Sequence, residues 1–246
     1  MLIRLLFLAS LLAAACGSPR QFRSLQPDEK AALKQYKRLL PRRDTSDYVL
    51  LMTTQGHMVL KLYNETPLHR DNFISKVKAG FYDSLLFHRV INNFMIQGGD
   101  PGSKYASATQ MLGSGSAPGQ ERIPAEFRTS QGIFHKRGAL AAARDNNPDK
   151  ASSNCQFYIV QRPAWRPGQL DSTIVQRNLT LTTPQKELYT TLGGTPHLDG
   201  GYTVFGELVT GFEVLDSIAA TKTRPGDRPE KDVRMRMFVL RDRKQR

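Results

Sequence analysis

Eight short apolar runs recur along this chain, each bounded by residues that favour turns. They are Tyr48–Thr53, His57–Tyr63, Leu85–Val90, Phe94–Gln97, Gly138–Ala143, Gln156–Gln161, Val204–Leu208 and Arg234–Leu240. Apolar runs of about four to eight residues between turn signals predict strands, and Gln55-Gly56 between the first two is a hairpin signal. Two helical patterns accompany them. One starts at Thr66-Pro67, a capping hydroxyl followed by Pro at the first helical position, and continues through Leu68, Phe73 and Val77 to a stop at Gly80. The other covers Glu213–Ala219. Many short strands with two short helices predict a mainly β chain, a barrel plugged at its ends. No internal repeat is present, and residues 101–122, rich in Gly, Ser and Ala without periodicity, read as loop.

The chain of 246 residues allows one well-cored domain and an extension. The extension is at the N-terminus. Arg4, the apolar run Leu5–Leu12 and Ala13-Ala14-Ala15 predict a signal peptide over 1–15, too short to remain as a membrane span. Cys16 follows directly, an arrangement that resembles a bacterial lipoprotein signal, with Cys16 acylated and the protein exported to the periplasm. Gly17 after it points, by analogy, to the outer membrane. Residues 16–46 read as a tether holding a short helix from Pro27, with Leu33, Tyr36 and Leu40 on one side. That helix either packs on the domain or is marginal alone. The domain itself is expected over 47–246.

Residues 162–196 interrupt the strand rhythm. They hold Trp165, Pro167-Gly168 and a helix pattern from Thr183-Pro184 to Gly193-Gly194, and predict an inserted arm with one helix. At about 35 residues it is too small for its own core.

The net charge of +13 favours anionic surfaces but does not single out nucleic acid, because the basic residues are scattered with no aromatic interleaving. With Cys16 acylated, Cys155 has no partner, so no disulfide framework is expected and Cys155 reads as a buried thiol. The five His residues show no metal spacing.

The most informative stretch runs Phe87-His88-Arg89-Val90-Ile91-Asn92-Asn93-Phe94-Met95-Ile96-Gln97-Gly98-Gly99-Asp100. Adjacent strand positions face opposite ways, so Phe94 and Met95 share a pocket only if the chain bends, and Asn92-Asn93 permits that. Two further blocks follow: Gly138–Ala143 with Ser153–Ile159, and His197–Gly206. In content and order the three blocks resemble the cyclophilin family of peptidyl-prolyl cis/trans isomerases, over roughly residues 48–242.

The resemblance implies a closed eight-stranded antiparallel barrel capped by two helices, acting as a monomer on proline-containing polypeptides without metal or cofactor. It implies catalytic roles for Arg89 and Gln97. Phe94, Met95, Tyr158 and Leu198 would hold the proline ring, Ala143 and Arg144 would present backbone groups with Gln156 beneath, and Tyr202 would border the substrate. Arg144, Tyr158, His197 and Tyr202 stand where the family commonly has Asn, Phe, Trp and His. The substitution at His197 predicts weak binding of the family's cyclic-peptide inhibitor. The competing expectation is a periplasmic chaperone that holds extended peptides with little turnover; intact Arg89, Phe94, Met95 and Gln97 favour the enzyme.

Overall fold

The computed structural model describes residues 25–119 and 122–242. The expected signal peptide, the acylation site Cys16 and the start of the tether lie outside the described residues.

The elements run α1 (Pro27–Leu39), β1 (Asp47–Thr53), β2 (Gly56–Leu62), α2 (Pro67–Lys78), β3 (Phe87–Ile91), β4 (Met95–Gly98), β5 (Arg122–Ile123), β6 (Ala139–Ala142), β7 (Ser152–Ser153), β8 (Phe157–Val160), α3 (Pro167–Gln176), α4 (Thr183–Leu192), β9 (Val204–Thr210), α5 (Phe212–Ala219) and β10 (Met235–Arg241). Eight strands form one antiparallel sheet in the order β10-β1-β2-β9-β6-β8-β4-β3, and β5 pairs with β7 apart from it.

Strand alternation builds two layers of core. Val49, Leu51, Met58, Leu60, Met235 and Met237 point into the curl of the sheet, where Phe73 and Val77 of α2 and Leu215 and Ile218 of α5 meet them. Tyr48, Leu50, Met52, Val59, Phe238 and Leu240 point outward and are covered by Ala32, Leu33 and Tyr36 of α1. Burial on both faces is why the β1 run is continuously apolar rather than alternating.

Of the two fates open to α1, packing is the one observed. Glu29, buried, pairs with Arg236, and Arg241 Nη1 donates to the carbonyls of Pro41 (2.9 Å) and Asp44 (2.6 Å). From Leu25 onward the segment before Asp47 therefore lies on the sheet.

The expected closed barrel is not formed. Among the described residues the edge strands β3 and β10 meet at one corner only, through a bridge between Leu86 and Arg234 and the bonds Ser84 N–H to Met235 O, Met235 N–H to Leu85 O and Phe87 N–H to Val233 O, each 2.9 Å. Beyond that corner the chain before β10 intervenes. Asp227, at φ 64°, accepts the Val90 N–H at 2.8 Å, so a loop satisfies the strand edge where a neighbouring strand was expected.

The arm holds two helices, not one. Pro167 opens α3 because Pro is tolerated in the first turn, whereas the Pro167-Gly168 pair reads from sequence as a breaker. Thr182 and Gln185 form a capping box that starts α4. Leu170 and Tyr189 are buried, and the Trp165 indole N–H donates to Gly194 O at 2.7 Å.

Candidate active site

The β3–β4 hairpin pairs Arg89 with Gln97, Val90 with Ile96 and Ile91 with Met95. Directly opposed residues share a face, so Val90 and Ile96 enter the core while Arg89 and Gln97 stand together outside it. Arg89 Nη1 donates to Gln97 Oε1 at 3.4 Å. The turn between the strands has Asn93 at φ 58° and a Phe94 N–H to Ile91 O bond of 3.1 Å. That is the bend the sequence requires. It takes Phe94 out of the alternation, so that Phe94 and Met95 line the same cavity.

Neighbouring strands extend the face. Gln97 lies opposite Tyr158, which lies opposite Ala141. The cavity above them has a volume of about 420 Å³. Nine of the ten candidate site residues line it: Arg89, Phe94, Met95, Gln97, Ala143, Arg144, Tyr158, Leu198 and Tyr202. Gln156 does not; it sits behind Gln97 at a neighbouring cavity.

Gln156 acts as a brace. Its Nε2 donates to the carbonyls of Gly113 and Gly115, both at 2.9 Å, and its Oε1 accepts from Gln97 Nε2 at 3.3 Å. That orients the Gln97 amide with its oxygen toward Arg89. On its other side, Arg89 Nε faces Asp227 Oδ2 at 3.5 Å. Asp227 was not found from sequence, since it lies 138 positions from Arg89 in an unpatterned loop. The loop over 101–122 is also more than a connection. Leu112, Gly113 and Ser114 wall the cavity, and Asp100 ties the loop down by accepting from the Gly113 (2.5 Å) and Gly102 (2.7 Å) N–H groups.

Ala143 and Arg144 both line the cavity. The Ala143 N–H donates to Gln156 O and its carbonyl accepts from Ser153 N–H, so both groups are used. The Arg144 side chain lies over the Tyr202 ring at 4.7 Å and donates from Nε to Gly201 O at 2.8 Å.

Tyr158 is held from beneath by a buried chain of polar groups. Its hydroxyl is 3.0 Å from His135 Nε2. His135 Nδ1 is 2.8 Å from Asp199 Oδ1, and the Tyr189 hydroxyl of α4 donates to Asp199 Oδ2 at 2.5 Å. A carboxylate only accepts, so Nδ1 donates to it, and in the neutral ring Nε2 is then the acceptor for the Tyr158 hydroxyl. Burial pushes the Tyr158 hydroxyl far above the ordinary tyrosine range. Asp199 lies in the turn that follows Leu198, and its carboxylate is also the junction between arm and pocket. His197 stacks on Phe94 with ring centres 5.8 Å apart, and burial, aided by Arg177, lowers its pKa to about 4. His88, also at the cavity, is lowered to about 4 by burial.

Residues 48–239 match the family model described as cyclophilin type peptidyl-prolyl cis-trans isomerase/CLD. A Staphylococcus aureus (strain COL) protein assigned as a peptidyl-prolyl cis-trans isomerase is 38% identical over 192 residues, 75% of this chain and 87% of the relative. A Streptococcus pyogenes serotype M6 protein assigned as a bifunctional phosphatase/peptidyl-prolyl cis-trans isomerase is 36% identical over 207 residues, 81% of this chain; the chain spans only 40% of that relative's length. Among solved structures, a Cryptosporidium parvum cyclophilin type peptidyl-prolyl cis-trans isomerase superposes with a TM-score of 0.58 at 22% identity, covering 79% of this chain and 97% of the other. A second structure of that protein, in the presence of the dipeptide Ala-Pro, gives 0.57 at 22% identity, covering 78% and 98%. At that identity the likeness concerns the fold.

Proposed function

The chain belongs to the cyclophilin-type peptidyl-prolyl cis-trans isomerase family, and from that premise we propose that the Arg89 groove rotates X-Pro bonds in exported polypeptides. The carrying observation is a single cavity in which a braced guanidinium faces apolar walls from Phe94, Met95 and Leu198.

A prolyl peptide bond resists rotation because of amide resonance, with a barrier of about 18–20 kcal/mol. No bond is broken, so the task is to weaken resonance and hold the ring. As the prolyl nitrogen pyramidalises it gains a lone pair, and an N–H aimed at it removes double-bond character. Arg89 suits this. Its planar fork is fixed by Gln97 at one nitrogen and Asp227 at another, leaving N–H groups for the substrate. A hydrogen bond from a charged donor contributes about 1.5–3 kcal/mol, or one to two decades of rate. The apolar walls supply the rest by gripping the ring while the preceding carbonyl swings. The Ala-Pro dipeptide present with the Cryptosporidium relative is the ligand class this cavity suits.

Export and lipid attachment rest on Arg4, the run Leu5–Leu12, Ala13-Ala14-Ala15 and Cys16. On this reading a monomer hangs from the outer membrane by an acylated Cys16, working on periplasmic clients. Replacing Cys16 by Ser should then move the protein from the membrane to the soluble fraction.

A protease-coupled assay on an Ala-Pro tetrapeptide tests the main proposal. Catalysed release establishes turnover. Tight peptide binding without acceleration would make the protein a peptide-holding chaperone instead.

A further inference from the structure

Between the arm and the β3–β4 turn lies a separate cavity of about 310 Å³. Phe94 walls both this cavity and the Arg89 groove. His197 stacks on Phe94 on the arm side, while Leu198, the next residue, faces the groove. The two spaces are thus back to back across one aromatic ring. A client lying along the groove past Phe94 therefore meets the mouth of the arm cavity.

The arm cavity carries positive charge that no carboxylate among the described residues answers. Arg162 lies over the Trp165 ring with its guanidinium carbon 3.7 Å from the ring centre, and Arg177 comes from the end of α3. Thr173, Gln176 and Arg177, spaced i, i+3 and i+4, turn one face of α3 to the same space. Among the described residues neither arginine pairs with a carboxylate. Asp199, whose charge acts on the His197 ring, is taken by His135 and Tyr189. Arg162 is half-buried, and loss of solvent lowers its pKa. Its partner among the described residues is the face of the Trp165 ring, which leaves its N–H groups for a bound anion. The Trp165 ring, held by its N–H to Gly194 O, offers a flat wall for methylene groups.

We propose that the arm cavity is a subsite for an Asp or Glu side chain of the client, placed within about three residues of the proline. The proposal rests on reading the adjoining groove as the proline site. The client's carboxylate sits between the Arg162 and Arg177 guanidinium groups, with its stem on Trp165. Selection then acts on sequence around the proline, on top of the rotation chemistry.

Peptides carrying Glu or Gln at each of the three positions on either side of a single proline give the test. For each protein the readout is the ratio of kcat/KM for Glu over Gln. At one position the wild type should favour Glu by roughly fivefold, as for a partly exposed ion pair. The ratio should fall to near one in the Arg162→Gln/Arg177→Gln double variant, and Arg177→Glu alone should turn the preference toward Lys at that position. Arg166→Gln, an exposed arginine of the same arm outside the cavity, should keep the wild-type ratio. Trp165 is the single tryptophan, so its emission should respond to the preferred Glu peptide more than to its Gln partner. A ratio of one at every position, a ratio that survives the double variant, or one lost equally in Arg166→Gln would overturn the proposal. Failure of the wild type to isomerise any Gln peptide would overturn the reading of the groove, and Trp165 emission would still decide the subsite.

Discussion

The Tyr158 hydroxyl lies 3.0 Å from Nε2 of His135, deep beneath the groove, and that contact joins the pocket wall to the arm through Asp199 and Tyr189. Tyr158→Phe keeps the ring and leaves a buried imidazole nitrogen without a partner. It should lower stability by about 1–3 kcal/mol while kcat/KM changes little. Urea unfolding alongside the tetrapeptide assay checks both. Tyr189→Phe should be destabilising too, and the two losses should not add, because both residues act on one His135–Asp199 pair.

Arg89→Ala should lower kcat/KM by roughly 10- to 100-fold with the fold intact, since the side chain is 42% exposed and replaces no core contact. Arg89→Lys should not restore it, because a point charge cannot face Gln97, Asp227 and the substrate as a planar fork does. Activity within twofold of wild type would remove Arg89 from the mechanism.

Acid should weaken the fold through His88 and His197. Both rings are held at about 4, below the ordinary 6.5, so both are neutral when folded near neutral pH. Unfolding lets them take protons at any pH below about 6.5, so stability falls as pH drops from 6.5 to 4 and this contribution levels off beneath. The urea midpoint should decline across that window, and His197→Asn should make the decline shallower. Arg177→Gln should raise the His197 titration midpoint seen by NMR, because Arg177 is the main charge opposing the protonated ring.

Inhibition by the family's cyclic peptide should be weak. His197 is turned onto Phe94 and away from the groove, so no indole N–H stands at the rim. His197→Trp should tighten binding, and submicromolar inhibition of the unaltered protein would refute the idea.

The site was legible where substrate-facing residues crowd into one hairpin. Arg89, Phe94, Met95 and Gln97 fall within nine positions, and period-two alternation with one bend at Asn93 places them. It was not legible where partners meet over long separations. His135 reads as an isolated histidine; its partners Tyr158 and Asp199 are 23 and 64 residues away. Asp227 depends on the loop that fills the gap between β3 and β10, and strand patterns count strands without saying whether the last edge closes. The first helix of the arm was hidden because Pro167-Gly168 serves a helix start as well as a break.

The arm departs after Gln161 and returns at Gly194, and its ends are pinned to each other, with Trp165 N–H on Tyr189 O and its indole on Gly194 O. An excursion that closes on itself is a cassette. Its length adds to loop-closure entropy only logarithmically, so helices can be lengthened, shortened or exchanged there at small cost to the sheet. What an exchange has to preserve is the Tyr189–Asp199 clasp. Provided that clasp is kept, this is a place where client preference can diverge between descendants, or be grafted by design, while the chemistry at Arg89 stays as it is.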